Sequence, residues 1–364
     1  MRLGVEAAVV DGVLVPGDVA ISNGIVSDVA LGSRSGRGIA VPGFVDLQVN
    51  GFGGVDFATA DAAGYRRAGE SLLETGVTAF QPTFITAPEA DLIAALNAIP
   101  PTLEGPRILG AHLEGPFLSP ERLGAHPASA RREPNRALLE RLLEAGPVSQ
   151  MTVAPELEGA LELIDALQER GVVVSCGHSN ATAAEAALAF DRGVRTVTHL
   201  FNSMPPFSHR DPGLAGAALA RDDVIVQLIL DGAHLADETA SVVWKAAAGR
   251  VALVSDAIAA TGVGDGSFRL GGVAVEVRDG VARRAEDGVL AGSVKTLLDG
   301  VRTLHALGAP LPEAIAAATS VPARVAGRVD GVLRAGGDAD VVILDDRLEI
   351  RAVFVGGNEL VGVG

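Results

Sequence analysis

From residue 44 onward the sequence repeats one alternation. A short apolar, β-branched run is followed by a stretch rich in Ala, Leu, Glu and Arg with apolar residues at helical spacing. The runs are Phe44–Val49, Val77–Phe84, Arg107–His112, Gln150–Val153, Val172–Cys176, Arg195–His199, Val224–Leu230 and Val251–Ser255. The helical stretches include Ala60–Thr75, Pro134–Ala145, Leu157–Arg170 and Ala183–Arg192. A strand that returns to its sheet in the same direction needs a crossover of about helix length, so this alternation implies parallel strands with helices outside them. Eight such units predict an α/β fold, a (β/α)8 TIM-type barrel.

The two ends of the chain read differently. Val5–Val10, an Asp11-Gly12 turn, Val13–Val15 and an Asn23-Gly24 turn make up the first, with no helical pattern. At the other end Asp340–Leu344 and Ile350–Val355 are apolar runs, and Gly356-Gly357-Asn358 is a turn before Leu360. Asn-Gly and Asp-Gly pairs between alternating apolar residues are hairpin signals. Because the ends of a closed barrel meet, these pieces predict one small β-sandwich domain from both termini, residues 1–43 with 329–364, beside a barrel over 44–328. A chain of 364 residues has room for both.

Charge and cysteine content narrow the setting. Acidic residues outnumber basic ones 45 to 29, for a formal charge of −16, which argues against nucleic acid or an anionic membrane as partner. A small anionic substrate is still possible, because a local basic site can sit in an acidic protein. Cys176, the lone cysteine, rules out a disulfide within the chain and a cysteine-based metal cluster. Glu6 and Asp11 interrupt the N-terminal apolar run, so it reads as neither signal peptide nor membrane span, and no later run is long enough to cross a bilayer. The expected location is the cytoplasm.

In a barrel of this kind the chemistry gathers at the C-terminal ends of the strands. The third predicted strand leads into His112-Leu113-Glu114-Gly115-Pro116, the fifth into Gly177-His178-Ser179-Asn180, and the sixth into His199-Leu200-Phe201-Asn202. The seventh leads into Asp231-Gly232-Ala233-His234 and the eighth into Ser255-Asp256-Ala257. Glu114, His178 and His199 make a set of two histidines and one carboxylate, which suits a divalent ion with a position left open for water. Asp256 is placed to move a proton between that water and a leaving amine, so hydrolysis of an amide or ester follows as a reaction class. Taken singly each residue also has a plain reading: a buried histidine is commonly structural, and an aspartate after a strand can cap the next helix. The coincidence at five strand ends favours the catalytic reading.

Two absences matter as well. Where many binuclear hydrolases carry His-x-His after the first strand, this chain has Gln48-Val49-Asn50, and neutral amides are poor ligands for a transition metal. No lysine stands in Met151-Thr152-Val153-Ala154-Pro155-Glu156, so a bridging carbamylated lysine is not available there. One metal ion per subunit is expected, Zn²⁺ first, with Fe²⁺, Mn²⁺ or Co²⁺ able to use the same ligands.

With these residues in view the chain resembles the N-acetylglucosamine-6-phosphate deacetylases, a branch of the amidohydrolase superfamily. The resemblance covers nearly the whole length. It rests on Pro42-Gly43-Phe44-Val45-Asp46-Leu47-Gln48-Val49-Asn50-Gly51, His112-Leu113-Glu114-Gly115-Pro116-Phe117, Gly177-His178-Ser179-Asn180-Ala181, Thr198-His199-Leu200-Phe201-Asn202-Ser203-Met204 and Val254-Ser255-Asp256-Ala257. It implies Glu114, His178 and His199 as metal ligands, Asp256 as general acid and base, and His126 as the group that polarises the acetyl carbonyl. It further implies Ala125, Asn202, Ser203 and the Leu290-Ala291-Gly292 loop as substrate contacts. Arg210 and His234 would bind the phosphate, with Arg210 reaching in from the neighbouring subunit of a homodimer. The implied reaction releases acetate from N-acetyl-D-glucosamine 6-phosphate, in amino-sugar catabolism or wall-sugar recycling.

Three alternatives remain in view. The N-acetylgalactosamine 6-phosphate epimer differs in one hydroxyl configuration that the loops do not reveal. Cyclic-amide hydrolysis is disfavoured by the absent His-x-His and lysine and by the Arg210/His234 pair. A non-catalytic relative would be expected to have lost ligands or acid/base, and all of them are present.

Overall fold

The computed structural model describes residues 1–32, 36–328 and 331–362. Its barrel strands are Phe44–Val49, Val77–Ile85, a third in two pieces (Arg107–Ile108 and Ala111–Glu114), Val148–Val153, Val173–Cys176, Thr196–Val197, Ile225–Leu228 and Val251–Leu253. Each pairs in parallel with its neighbour. The ring closes where the Asn50 N–H donates to the Ala257 carbonyl at 2.8 Å, beside a parallel bridge from Val49 to Ala257. All eight sequence-predicted strands are present.

Their limits differ in informative ways. The third strand runs on to Glu114, because Glu114 stays in register with Ile85 on one side and Thr152 on the other. The sixth stops at Val197, two residues short of the expectation, and by His199 the backbone has turned to φ 27°. Helix starts follow local chemistry: Asp61 accepts from the Gly64 N–H ahead of Ala62–Leu73, and Thr182 with Glu185 closes a capping box ahead of Ala183–Asp191.

Period-two alternation gives the barrel wall two different faces. Met151, Val153, Val174, Cys176, Val197, Val226 and Leu228 join the apolar faces of the helices in the main core. The residues between them, Gln150, Thr152, Ser175, Thr196 and Gln227, are fully buried and polar. Hydroxyls link across this lumen, Ser175 to Thr198 at 2.6 Å and Thr198 to Thr152 at 2.8 Å. Thr152 in turn meets His112 Nε2 at 2.7 Å.

The termini do meet. A six-stranded sheet runs in the order Val13–Pro16, Ala7–Val10, Ile39–Pro42, Val341–Leu344, Ile350–Val355, Asn358–Gly362. One face carries Ala8, Ala40, Val341, Ile343, Ala352 and Phe354, which pack on Val19, Ile21 and Val26 of the hairpin Asp18–Ser22/Ile25–Leu31. The other face, Val9, Val41, Val342, Leu344 and Val353, is continuous with the barrel core. Both faces of Val341–Leu344 are therefore covered, which explains its unbroken apolar run. We propose the division between the two units at 43/44, where the chain leaves the sheet at Pro42 and enters the barrel at Phe44. The second boundary, expected at 329, lies outside the described residues, as do the last two residues of the chain.

One element was not foreseen. Between the eighth strand and the helix Leu297–Ala306 lies a three-stranded antiparallel sheet, Gly266–Leu270, Val273–Arg278 and Val281–Arg284. Its turns are Gly271-Gly272 and Asp279-Gly280, both hairpin signals already present in the sequence. None of the described helices is long and apolar enough to cross a membrane.

Candidate active site

The barrel brings the predicted strand-end residues to one mouth, and the backbone there is bent in a consistent way. His178, His199, Ser203 and Asp256 all have positive φ, between 27° and 52°. For a residue with a Cβ this conformation costs on the order of 1–2 kcal/mol, and its clustering at one site is what a functional constraint produces.

Glu114 is the centre. Its Oε1 lies 2.8 Å from His199 Nε2 and 3.1 Å from His178 Nε2, and the two nitrogens are 3.1 Å apart. Its other oxygen is 3.4 Å from His126 Nε2. Burial pushes the Glu114 carboxyl up, but the His126, His178 and His199 rings together outweigh it and hold the group well below the usual carboxylate range. The His178 ring is lowered, first by burial and then by His126 beside it. Its Nδ1 is 2.8 Å from the Arg122 carbonyl, which accepts a hydrogen bond from the Nδ1–H and leaves the Nε2 lone pair free. Glu114, His178 and His199 are, among the described residues, the one group whose ligand atoms all lie close enough to share a metal ion. The donor set and the free Nε2 lone pair fit a divalent transition metal.

His112, read from sequence with the strand-end groups, is not part of this set. It points into the lumen, with Nδ1 3.2 Å from the Leu47 carbonyl and Nε2 held by Thr152. Burial pushes it down to about 4, so it is neutral near pH 7.

Two amides hold Asp256, and one of them bridges it to Glu114. Asn50 Nδ2 donates to Asp256 Oδ1 at 2.8 Å, and Gln48 Nε2 lies 3.1 Å from both Asp256 Oδ1 and Glu114 Oε1. From sequence this pair was noted only for the metal it would bind poorly. In the structure it supplies donors where two carboxylates would otherwise repel. Burial and the Glu114 charge push the Asp256 carboxyl up. The helix-cap alternative for Asp256 fails, because turns and the inserted sheet follow it and the next helix begins at Leu297.

His126 has a defined tautomer. The Thr86 N–H donates to its Nδ1 at 3.2 Å, so Nδ1 is the acceptor and Nε2, which faces the site, is the donor. Gly124 lets the chain pass close to Ser203: its φ is +56°, and a Cβ there would lie 2.6 Å from Ser203 Oγ. His234 Nδ1 is 2.8 Å from Asp231 Oδ2, leaving Nε2 toward the cavity. Burial pushes Asp231 up, but His234 and the backbone N–H groups of Ala233 and His234 overrule it and hold the carboxyl below its usual range.

These groups line a cavity of about 260 Å³, with Ala125, Asn202, Ser203, Leu290 and Gly292 also in its wall. Gly292 lies against Asp256; with φ +69° and Ile258 Cγ2 2.4 Å from where a Cβ would stand, only glycine fits. Ala291 is fully buried in an apolar cluster, and its side chain is not in the cavity wall. Arg210 is exposed on a loop outside the cavity of its own chain. Sequence reasoning missed Ile85, Thr86, Leu270 and Val289, which complete or support the wall.

Comparison with known proteins agrees with this geometry. The model of the amidohydrolase family matches residues 39–360. The chain is 39% identical over 341 residues to the N-acetylglucosamine-6-phosphate deacetylase of Rattus norvegicus, covering 88% of this chain and 83% of that relative. It is 37% identical over 329 residues to the N-acetylgalactosamine-6-phosphate deacetylase of Escherichia coli O157:H7, covering 87% and 86%. Among solved structures, an aspartate-to-alanine mutant of the Mycobacterium smegmatis N-acetyl-D-glucosamine-6-phosphate deacetylase, in complex with N-acetyl-D-glucosamine-6-phosphate, superposes with a TM-score of 0.95 at 35% identity, covering 99% of both chains.

Proposed function

This chain belongs to the amidohydrolase family, and from that membership and its site we propose that it hydrolyses N-acetyl-D-glucosamine 6-phosphate to D-glucosamine 6-phosphate and acetate. The observation that carries the reading is the convergence of Glu114, His178 and His199 beside an Asp256 held by Asn50 and Gln48. Glu114, His178 and His199 would hold one divalent ion, Zn²⁺ first, then Fe²⁺, Mn²⁺ or Co²⁺. Such an ion supplies Lewis acidity, polarising a carbonyl and making a water easier to deprotonate.

The chain's own groups do the rest. Asp256 accepts a proton from the attacking water, and the water oxygen adds to the acetyl carbon. His126 Nε2–H donates to the carbonyl oxygen as negative charge grows on it. Asp256 then gives its proton to the amine as the C–N bond breaks, so the products are acetate and the free amino sugar. Ala125, Asn202, Ser203 and the Leu290-Ala291-Gly292 loop are assigned to the sugar. A phosphorylated sugar is charged and stays in the compartment where it is made, which supports a cytoplasmic setting.

Phosphate recognition is incomplete in one chain. His234 is in the cavity wall, but among the described residues no Arg or Lys lines it. Arg210, exposed on its loop, is assigned to the phosphate of a neighbouring subunit in a homodimer. Arg210→Ala is expected to raise KM for the phosphorylated sugar at least about tenfold, the value of a lost charge-assisted hydrogen bond, with little change for the unphosphorylated sugar. Mixing Arg210→Ala with Asp256→Asn protein should restore activity, since one site of each mixed dimer then has both groups. No recovery, or an equal KM effect on both sugars, would remove Arg210 from this role.

The reaction itself is tested by acetate release from N-acetylglucosamine 6-phosphate, N-acetylglucosamine and N-acetylgalactosamine 6-phosphate, each with and without chelator. Fast, chelator-sensitive release from the first substrate is expected. Preference for the third would transfer the assignment to the epimer, and no release from any would overturn it.

A further inference from the structure

A second cavity lies directly behind the active site. It measures about 460 Å³, and its wall includes Phe84, Ala87, Pro88 and Leu92. Ile85, Leu270 and Asn50 line both cavities. Of the charged residues at the second cavity, Asp91 and Arg269 are exposed, and half-buried Asp56 has both oxygens taken up by the Ala58 and Gly271 N–H groups, which leaves the Phe84, Ala87, Pro88 and Leu92 side free for an apolar group.

The partition between the two is built and fixed. Ile85 and Leu270 are 6% and 4% exposed and belong to one apolar cluster. Leu270 ends the first strand of the inserted sheet, whose turn is tied down by Asp56: the Gly271 N–H donates to Asp56 Oδ2 at 2.8 Å, and the Ala58 N–H donates to Asp56 Oδ1 at 3.0 Å. Ile85 abuts that turn, since a Cβ on Gly271 would lie 3.6 Å from Ile85 Cγ1.

The partition also lies where an acyl group would end. In a ring of eight strands the second faces the sixth. Asn202 and Ser203 follow the sixth strand, while Ile85 closes the second and Leu270 comes from the inserted sheet beside it. With the sugar hydroxyls toward Asn202 and Ser203 and the carbonyl between His126 and the Glu114 group, the acetyl methyl is directed to the apolar side. We infer that Ile85 and Leu270 set the length of N-acyl group this site accepts, and that the cavity behind them takes the tail of a longer N-acyl group once the wall is cut back. This rests on the deacetylase reading above and extends it to acyl specificity. Asp56 is the positioning residue that holds the wall closed.

The test compares kcat/KM for N-acetyl, N-propionyl and N-butyryl glucosamine 6-phosphate in the wild type, Ile85→Ala and Leu270→Ala. A rejected methylene is worth about 10- to 200-fold, so the wild type should fall by at least about tenfold from acetyl to butyryl. Either variant should raise the butyryl-to-acetyl ratio by about tenfold or more. The ratio is internal to each protein, so partial loss of folded enzyme does not move it; Ile85→Val, one methyl shorter, serves if the alanine variants do not fold. An unchanged ratio in the active variants overturns the gate alone. A wild type that cleaves butyryl as well as acetyl overturns it too. A wild type inert on the acetyl substrate overturns the deacetylase reading, and the gate with it.

Discussion

Asp256→Asn is expected to lower kcat by at least about a hundredfold, up to about 10⁴, while the protein keeps its full metal content. The substitution is nearly isosteric. The new amide oxygen still accepts from Asn50 Nδ2 and Gln48 Nε2, which now meet at Asp256 Oδ1. Only the ability to take and return a proton is lost. Stability should move the other way in metal-free protein. Burial and Glu114 raise the folded Asp256 carboxyl above its usual value of 3.8, so the folded state binds more protons than the unfolded one above that pH. The stabilisation is therefore fully present below pH 3.8 and is lost as pH rises through the raised value. The variant removes this loss, and metal-free Asp256→Asn should be at least as stable as wild type at neutral pH. Turnover, metal content and a thermal melt answer all three points. Near-normal turnover would sink the acid/base role, and loss of metal alongside turnover would make Asp256 a ligand instead.

The sequence carried most of the barrel because its signal is local. Val-rich runs and Ala/Leu/Glu stretches switch period eight times, and each switch became a strand or helix within a few residues. The ionisable groups were legible only as a set: each alone has a structural reading, as His112 turned out to have, but five strand ends carrying such groups converge on one mouth. What stayed hidden depends on backbone atoms and neutral side chains. Thr86 fixes the His126 tautomer through its N–H, a group every residue but proline carries, so its identity gives no hint. Gln48 and Asn50 looked like missing ligands, and their donors to Asp256 and Glu114 emerge only when the first, third and eighth strands bring their ends to one mouth. Ile85 and Leu270 are ordinary apolar residues until the inserted sheet folds across the mouth. That sheet had turn signals, but they fell past the eighth strand, in a part of the barrel span to which no element was assigned.

Glu114→Gln should separate metal binding from proton transfer. Removing groups that merely hydrogen-bond to metal ligands costs about 10- to 100-fold in affinity, so removing the one anionic ligand should cost more than about a hundredfold. Glutamine keeps the shape and can still accept from Gln48, yet it has no charge to offset that of a divalent ion. Wild-type protein at a metal concentration about 100 times its Kd gains about 2.7 kcal/mol of stability from binding, a rise in Tm that a melt resolves. The variant should show little of that rise at the same concentration and should purify with far less than one ion per chain. Its activity should recover in part when metal is added in large excess, whereas Asp256→Asn, already loaded, should not respond. Normal metal content in Glu114→Gln would mean that His178 and His199 suffice to hold the ion, and the carboxylate at the centre of the site would need another purpose.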